Sequence, residues 1–89
     1  MLERDVTIIN RLGLHARAAA KLVAKASEFD CQVRVRRGER EVNGKSIMGV
    51  MMLAAGKGST ITLIAEGDGA ETALDALEAL VAERFGEQE

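Results

Sequence analysis

Residues 3–9 (Glu-Arg-Asp-Val-Thr-Ile-Ile) alternate between polar and apolar positions, with Arg4, Val6 and Ile8 on one side. That period predicts a strand. Residues 10–14 break the alternation and contain Gly13, so they read as a loop. From 16 to 28 the period lengthens: Ala19, Leu22, Val23 and Ala26 fall at i, i+3, i+4 and i+7, the core stripe of a helix. On another face of that helix Arg17, Lys21 and Lys25 stand four apart and make a basic ridge. Alternation returns in Cys31-Gln-Val-Arg-Val-Arg, with Cys31, Val33 and Val35 inward. Arg37-Gly38-Glu39 signals a hairpin turn, and residues 40–43 return as a short strand. Ser46 is placed to cap a second helix over 47–54, stopped by Gly56-Lys57-Gly58. Residues 60–66 form a further strand, and Asp68, with Glu71 three residues later, marks the start of a last helix over 70–85. Its core face is Leu74, Leu77, Leu80, Val81 and Phe85.

The order β-α-β-β-α-β-α predicts an α+β fold, a four-stranded sheet with its helices packed on one face. The hairpin 31–43 is antiparallel, and the first and last strands lie side by side, each reached by a helical crossover. No repeat, linker or low-complexity stretch divides the chain, so residues 1–89 are expected to form one domain.

A net charge of −2 favours neither a nucleic-acid binder nor a polybasic membrane binder. Aromatic residues are 2% with no Trp or Tyr, which argues against RNA modules that stack bases on aromatic platforms. No apolar run approaches the roughly 20 residues of a membrane span. The start Met1-Leu-Glu-Arg-Asp5 does not read as a secretory signal, so the expected location is the cytoplasm. A single cysteine, Cys31, excludes an internal disulfide and any CxxC site, and it reads as a small buried strand residue. With one histidine no convincing metal cluster can be assembled, and no cofactor is expected. Gly44-Lys45-Ser46 looks like the tail of a P-loop, but Gly38 lies one residue too far upstream for that motif. Glu71, Asp75 and Glu78 read as an exposed helix face rather than paired catalytic carboxylates.

The candidate chemistry lies at His15, in Gly13-Leu14-His15-Ala16-Arg17, directly before the first helix. A helix N-terminus presents unpaired N–H groups and about half a positive charge, a cradle for phosphate. A neutral imidazole there can act as a nucleophile towards phosphorus, and Arg17 can grip the phosphate oxygens. The second helix, Ile47-Met-Gly-Val-Met-Met-Leu-Ala-Ala55, has no polar face. With Val50, Leu53 and Ala54 towards the sheet, Ile47, Met48 and Met51 lie outside as an adaptable docking patch; a buried helix or a homodimer face is the alternative. Ser46 reads as an N-cap, as a phosphorylation switch, or as both; a phosphate there would suit the helix dipole and place negative charge beside the patch.

Leu12-Gly-Leu-His-Ala-Arg17, followed by Ala18-Ala19, resembles the active-site stretch of the HPr family, the histidine phosphocarriers of the bacterial phosphoenolpyruvate-dependent phosphotransferase system. Val42-Asn-Gly-Lys-Ser-Ile-Met-Gly-Val-Met-Met-Leu-Ala-Ala-Gly-Lys-Gly-Ser59 resembles that family's regulatory-serine segment, and length and element order also match. The resemblance implies an open-faced β-sandwich, an antiparallel four-stranded sheet with three helices on one side. It implies that His15 takes a phosphoryl group from phospho-enzyme I on Nδ1 and passes it to enzyme IIA domains. Arg17 and backbone N–H groups near Ala16 and Arg17 would steady the phosphate, Ser46 would be the target of an HPr kinase/phosphorylase, and Ile47, Met48, Met51 and Lys21 would belong to the docking face. Such a carrier is expected to be a monomer and not an independent enzyme. Ala18 stands where the family usually has proline. The nitrogen-related branch of the family, in a regulatory relay, is the nearest alternative. A small ferredoxin-like ligand-binding or dimerisation module is another, and a hydrolase using His15 lacks a second catalytic group.

Overall fold

The computed structural model describes Met1–Glu89. Its elements are β1 (Leu2–Thr7), α1 (Ala16–Ala26), β2 (Gln32–Arg37), β3 (Arg40–Asn43), α2 (Ile47–Met51), β4 (Thr60–Glu66) and α3 (Ala70–Ala82), with a short 3₁₀ turn over Arg84–Gly86. The four strands form one antiparallel sheet in the order β1-β4-β2-β3. The first and last strands are neighbours, as the pattern predicts, with Leu2 opposite Ala65 and Thr7 opposite Thr60. The hairpin closes with Arg37 opposite Arg40 across a two-residue turn, where Gly38 takes φ +60°. This is the open-faced α+β arrangement, with three helices on one side.

Alternation decides which side is dry. Val33 and Val35 of β2 and Ile61, Leu63 and Ala65 of β4 are at most 1% exposed and face the helices. The intervening Arg34 and Arg36 face the open side, where they meet Glu3, Glu41 and Glu66 at 3.3–3.9 Å. Such exposed pairs contribute little each, about 0–1 kcal/mol. Arg4 instead shares the helix side with its cross-strand partner Leu63, and reaches Asp75 and Glu78 of α3 at 2.5 and 3.2 Å. The acidic face of α3 is therefore exposed but not idle, because it clasps the edge strand.

On the helical side α1 lies between α2 and α3. It can do so because the residues it buries there are mostly alanine: Ala18, Ala19 and Ala26 are fully buried beside Leu22, while Val23 is only partly covered. Fully burying a side chain such as Leu22 contributes about 1.5–3 kcal/mol.

Several boundaries differ from the sequence pattern. The first helix ends at Ala26, two residues early, with the Ser27 N–H returning to Val23. α2 ends at Met51 because Ala54 turns left-handed, at φ +50°. That bend leaves Ala54 exposed and buries Ala55 in its place. Asp68 does not cap the last helix; Gly69, at φ +81°, occupies the cap position with no side-chain bond. α3 ends at Ala82, and Leu80 is only partly buried. Beyond it Arg84, Phe85 and Gly86 take φ of +57°, +55° and +79° in succession. The left-handed conformation costs a non-glycine residue roughly 1–2 kcal/mol. Complete burial of the Phe85 ring offsets it, and the chain is turned back towards α1.

Candidate functional site

His15 is the N-cap of α1, extended at φ −73° and ψ 179°, and its carbonyl accepts the first helical N–H, from Ala19, at 2.8 Å. Its side chain caps as well: Nδ1 accepts the Arg17 N–H at 3.3 Å. The other ring nitrogen, Nε2, lies 2.5 Å from Glu87 Oε2. A carboxylate can only accept, and Nδ1 is already accepting, so both partners call for a proton on Nε2 and a lone pair on Nδ1.

Gly13 makes the approach to this cap possible. It holds φ +68°, and a Cβ there would lie 2.5 Å from the Ala55 carbonyl oxygen and 2.7 Å from Gly56. The Leu14 N–H donates to that same carbonyl at 2.8 Å. The loop before α1 is thus stitched to the loop after α2, which puts the exposed apolar residues on the rim beside His15. Met48 is 75% exposed and Ile47 and Met51 about 40%. Leu12 and Met52, which the pattern did not single out, are exposed as well.

Two further residues belong to the site, and sequence reasoning missed both. Asn10 is the one polar residue in the buried set. Its Nδ2 donates to the Gly13 carbonyl at 2.9 Å and to Glu87 Oε1 at 3.0 Å. Glu87 therefore uses one oxygen for Asn10 and the other for His15. Its carboxyl pKa is lowered, first by the Asn10 hydrogen bond and then by the His15 hydrogen bond and the Lys21 charge. Asn is ordinary in a loop, and the burial that sets Asn10 apart shows only in the structure. Glu87 lies 72 residues from His15 in sequence, beyond any local pattern.

The tail is fastened at its other positions too. Lys21 Nζ donates to the Phe85 carbonyl at 2.7 Å, so this member of the basic ridge also ties down the chain end. Arg11 pairs with Glu89 through Nε at 3.3 Å, and its backbone N–H also donates to the Glu89 carbonyl. Arg17 is exposed and has no carboxylate within pairing distance. Arg11, His15, Arg17 and the tail line an open cleft of about 600 Å³. The Ala16 and Ala18 N–H groups make no backbone hydrogen bond. Alanine at 18 therefore keeps an amide that proline would lack. A nucleophilic lone pair, the exposed and unbonded Ala16 amide at a positive helix end and an unpaired guanidinium suit capture of a phosphoryl group.

Ser46 caps α2, its Oγ accepting the Gly49 N–H at 3.1 Å. The adjacent Lys45 is committed elsewhere, Nζ donating to the Phe29 carbonyl at 2.6 Å. Cys31 is buried and free. No helix is long and apolar enough to cross a membrane, and no cluster of His, Cys, Asp and Glu could hold a metal ion.

Comparison with known proteins points the same way. Residues 2–83 match the family model described as the PTS HPr component phosphorylation site. The chain is 62% identical over 89 residues to the phosphocarrier protein HPr of Cupriavidus necator, covering all of both chains. It is 52% identical over 86 residues to the phosphocarrier protein NPr of Shewanella violacea, covering 97% of this chain and 94% of that one. The crystal structure of HPr-C-His from Thermoanaerobacter tengcongensis superposes with a TM-score of 0.95 at 45% identity, covering all of both chains.

Proposed function

The chain belongs to the HPr family of phosphocarrier proteins, and on that premise we propose that His15 carries the phosphoryl group on Nδ1. The observation that carries this reading is the lone pair on Nδ1 at the start of α1, with Nε2 already engaged by Glu87. The donor is phospho-enzyme I, charged from phosphoenolpyruvate, and the acceptors are enzyme IIA domains. In the first transfer the Nδ1–phosphorus bond forms as the donor's bond to phosphorus breaks, its electron pair staying with the donor. The second transfer runs the same exchange outward. Arg17 reaches the phosphate oxygens, and its N–H moves from Nδ1 to the phosphate once Nδ1 is bonded; the Ala16 N–H is a further donor. Transfer between two histidines needs in-line approach and charge stabilisation more than covalent help, and these groups supply both.

Ile47, Met48 and Met51, with Lys21 at the edge, form the docking face for enzyme I and the IIA domains. Ser46 is the substrate of an HPr kinase/phosphorylase, and its phosphate weakens docking by charging the border of the apolar patch. The protein acts as one domain over residues 1–89, a cytoplasmic monomer and a carrier rather than an enzyme, with no cofactor. Identity to the NPr of Shewanella violacea keeps a regulatory relay as the second reading. The higher identity to HPr and the Asn43-Gly-Lys-Ser-Ile-Met48 setting favour the first. Family membership displaces the ferredoxin-like module.

Intact-mass spectrometry after incubation with phosphoenolpyruvate and enzyme I tests the assignment. Wild type is expected to gain about 80 Da in an acid-labile form, the mass of one phosphoryl group. His15→Ala is expected to gain nothing. An acid-labile gain that persists in the variant would move the site elsewhere.

A further inference from the structure

We propose that Asn10 and Glu87 are positioning residues that hold His15 as the Nε2-protonated tautomer and thereby direct phosphoryl capture to Nδ1. The inference rests on His15 being the phosphoryl acceptor. It starts from how much structure converges on one carboxylate. Glu87 has a side chain only 17% exposed although it lies beyond the last helix. The chain reaches that place through three successive left-handed residues, two of them not glycine. The reversal is held by the buried Phe85 ring and by Lys21 on the Phe85 carbonyl. Asn10 then fixes the carboxylate's rotation. Both hydrogens of its amide are used, on Gly13 and on Glu87, while its Oδ1 is left buried with no partner. Leaving a buried acceptor unsatisfied is unfavourable, so the amide is oriented for its donors and not for its own solvation.

The consequence is chemical. A neutral imidazole has one N–H, and which nitrogen bears it decides which one can attack. Glu87 Oε2 accepts only, so it draws that hydrogen to Nε2. When Nδ1 bonds phosphorus, Nε2 keeps its hydrogen and the ring takes on positive charge. The Glu87 carboxylate faces that charge through the Nε2–H, the part a carboxylate plays behind the histidine of Ser-His-Asp sites. The same charge makes the ring a good leaving group when the phosphoryl moves on.

The test is ¹⁵N NMR of the His15 ring at a pH where it is neutral, alongside the rate of phosphorylation by enzyme I. Wild type, Glu87→Gln and Asn10→Ala are compared, with amide spectra reporting the fold. Wild type is expected to show the Nε2–H tautomer alone. Glu87→Gln is expected to show mixed tautomers and a rate lower by about 10- to 100-fold, the usual effect of losing a histidine's orienting partner. A pure Nε2–H tautomer in Glu87→Gln overturns the proposal, whatever the rate. Mixed tautomers with an unchanged rate overturn it too. Should Asn10→Ala not fold, Glu87→Gln, in the tail, still decides. A wild type that takes no phosphoryl group would sink the carrier assignment instead, while the ring spectra, which need no donor, still judge the positioning claim.

Discussion

His15 and Ser46 both start a helix with a side-chain acceptor, Nδ1 taking the Arg17 N–H and Oγ the Gly49 N–H. In each, the capping atom is the one proposed to receive phosphate. The surroundings differ. His15 opens an 11-residue helix that buries four residues, and it has an unpaired arginine two residues on and a carboxylate behind the ring. Ser46 opens a 5-residue helix that buries only Val50, with Ile47 and Met48 exposed beside it and the Lys45 amine tied to Phe29. A phosphate arriving at His15 meets donors and a cation. At Ser46 it meets a short dipole and an apolar border. On the proposed reading the same local cap is a carrier's seat in one place and a switch in the other, and what stands around the cap decides which.

The largest expected effect that probes this contrast is on Arg17. Arg17→Ala should slow phosphorylation of His15 by about 100-fold, the scale for losing one preorganised charge-stabilising donor. A quenched-flow rate near wild type would remove the cation that separates the two caps. Ser46→Asp comes next. Aspartate caps a helix as well as serine, so Tm should hardly move, whereas the transfer rate from enzyme I should fall about tenfold, or about 1.4 kcal/mol of docking. A fall in Tm with an unchanged rate would make Ser46 a cap alone. Ser46→Ala isolates the cap itself, and thermal unfolding should show a loss of about 1 kcal/mol, or roughly 5 °C.

The smallest effect concerns pH. Glu87 has a lowered pKa in the folded chain, so its contribution to stability is whole above the unfolded value of about 4.3 and is lost as pH falls through the folded value. The difference in Tm between wild type and Glu87→Gln should therefore narrow from pH 7 to pH 3. A difference that stays constant over that range would show that the carboxylate's charge contributes no stability.

The elements built from local period were legible in the sequence. Residues 60–66 are the strand the alternation predicts, the hairpin turns at Gly38, and α1 begins at Ala16 behind its histidine cap. Illegible were the places where L-residues turn left-handed. Nothing in Ala54, Arg84 or Phe85 announces a positive φ, because packing imposes it on residues that do not prefer it. For that reason α2 and α3 both end earlier than their apolar patterns suggest. The site divided in the same way. His15, Arg17 and Ser46 stand in local motifs, whereas Asn10 and Glu87 meet across 77 positions and no spacing links them.

The place of β4 bears on how the molecule comes into being. It is the last strand in sequence and an inner strand of the sheet, joined to β1 on one side and β2 on the other. Leu2 and Ala65 pair across 65 − 2 = 63 residues. During synthesis only the β2–β3 hairpin can find its partner early, and β1 must wait unpaired until residue 66 has emerged. Closing so long a loop makes sheet assembly a late, slow event compared with helix formation. The carboxylate behind His15 arrives later still, so the proposed phosphate seat is among the last parts of the newborn chain to be completed.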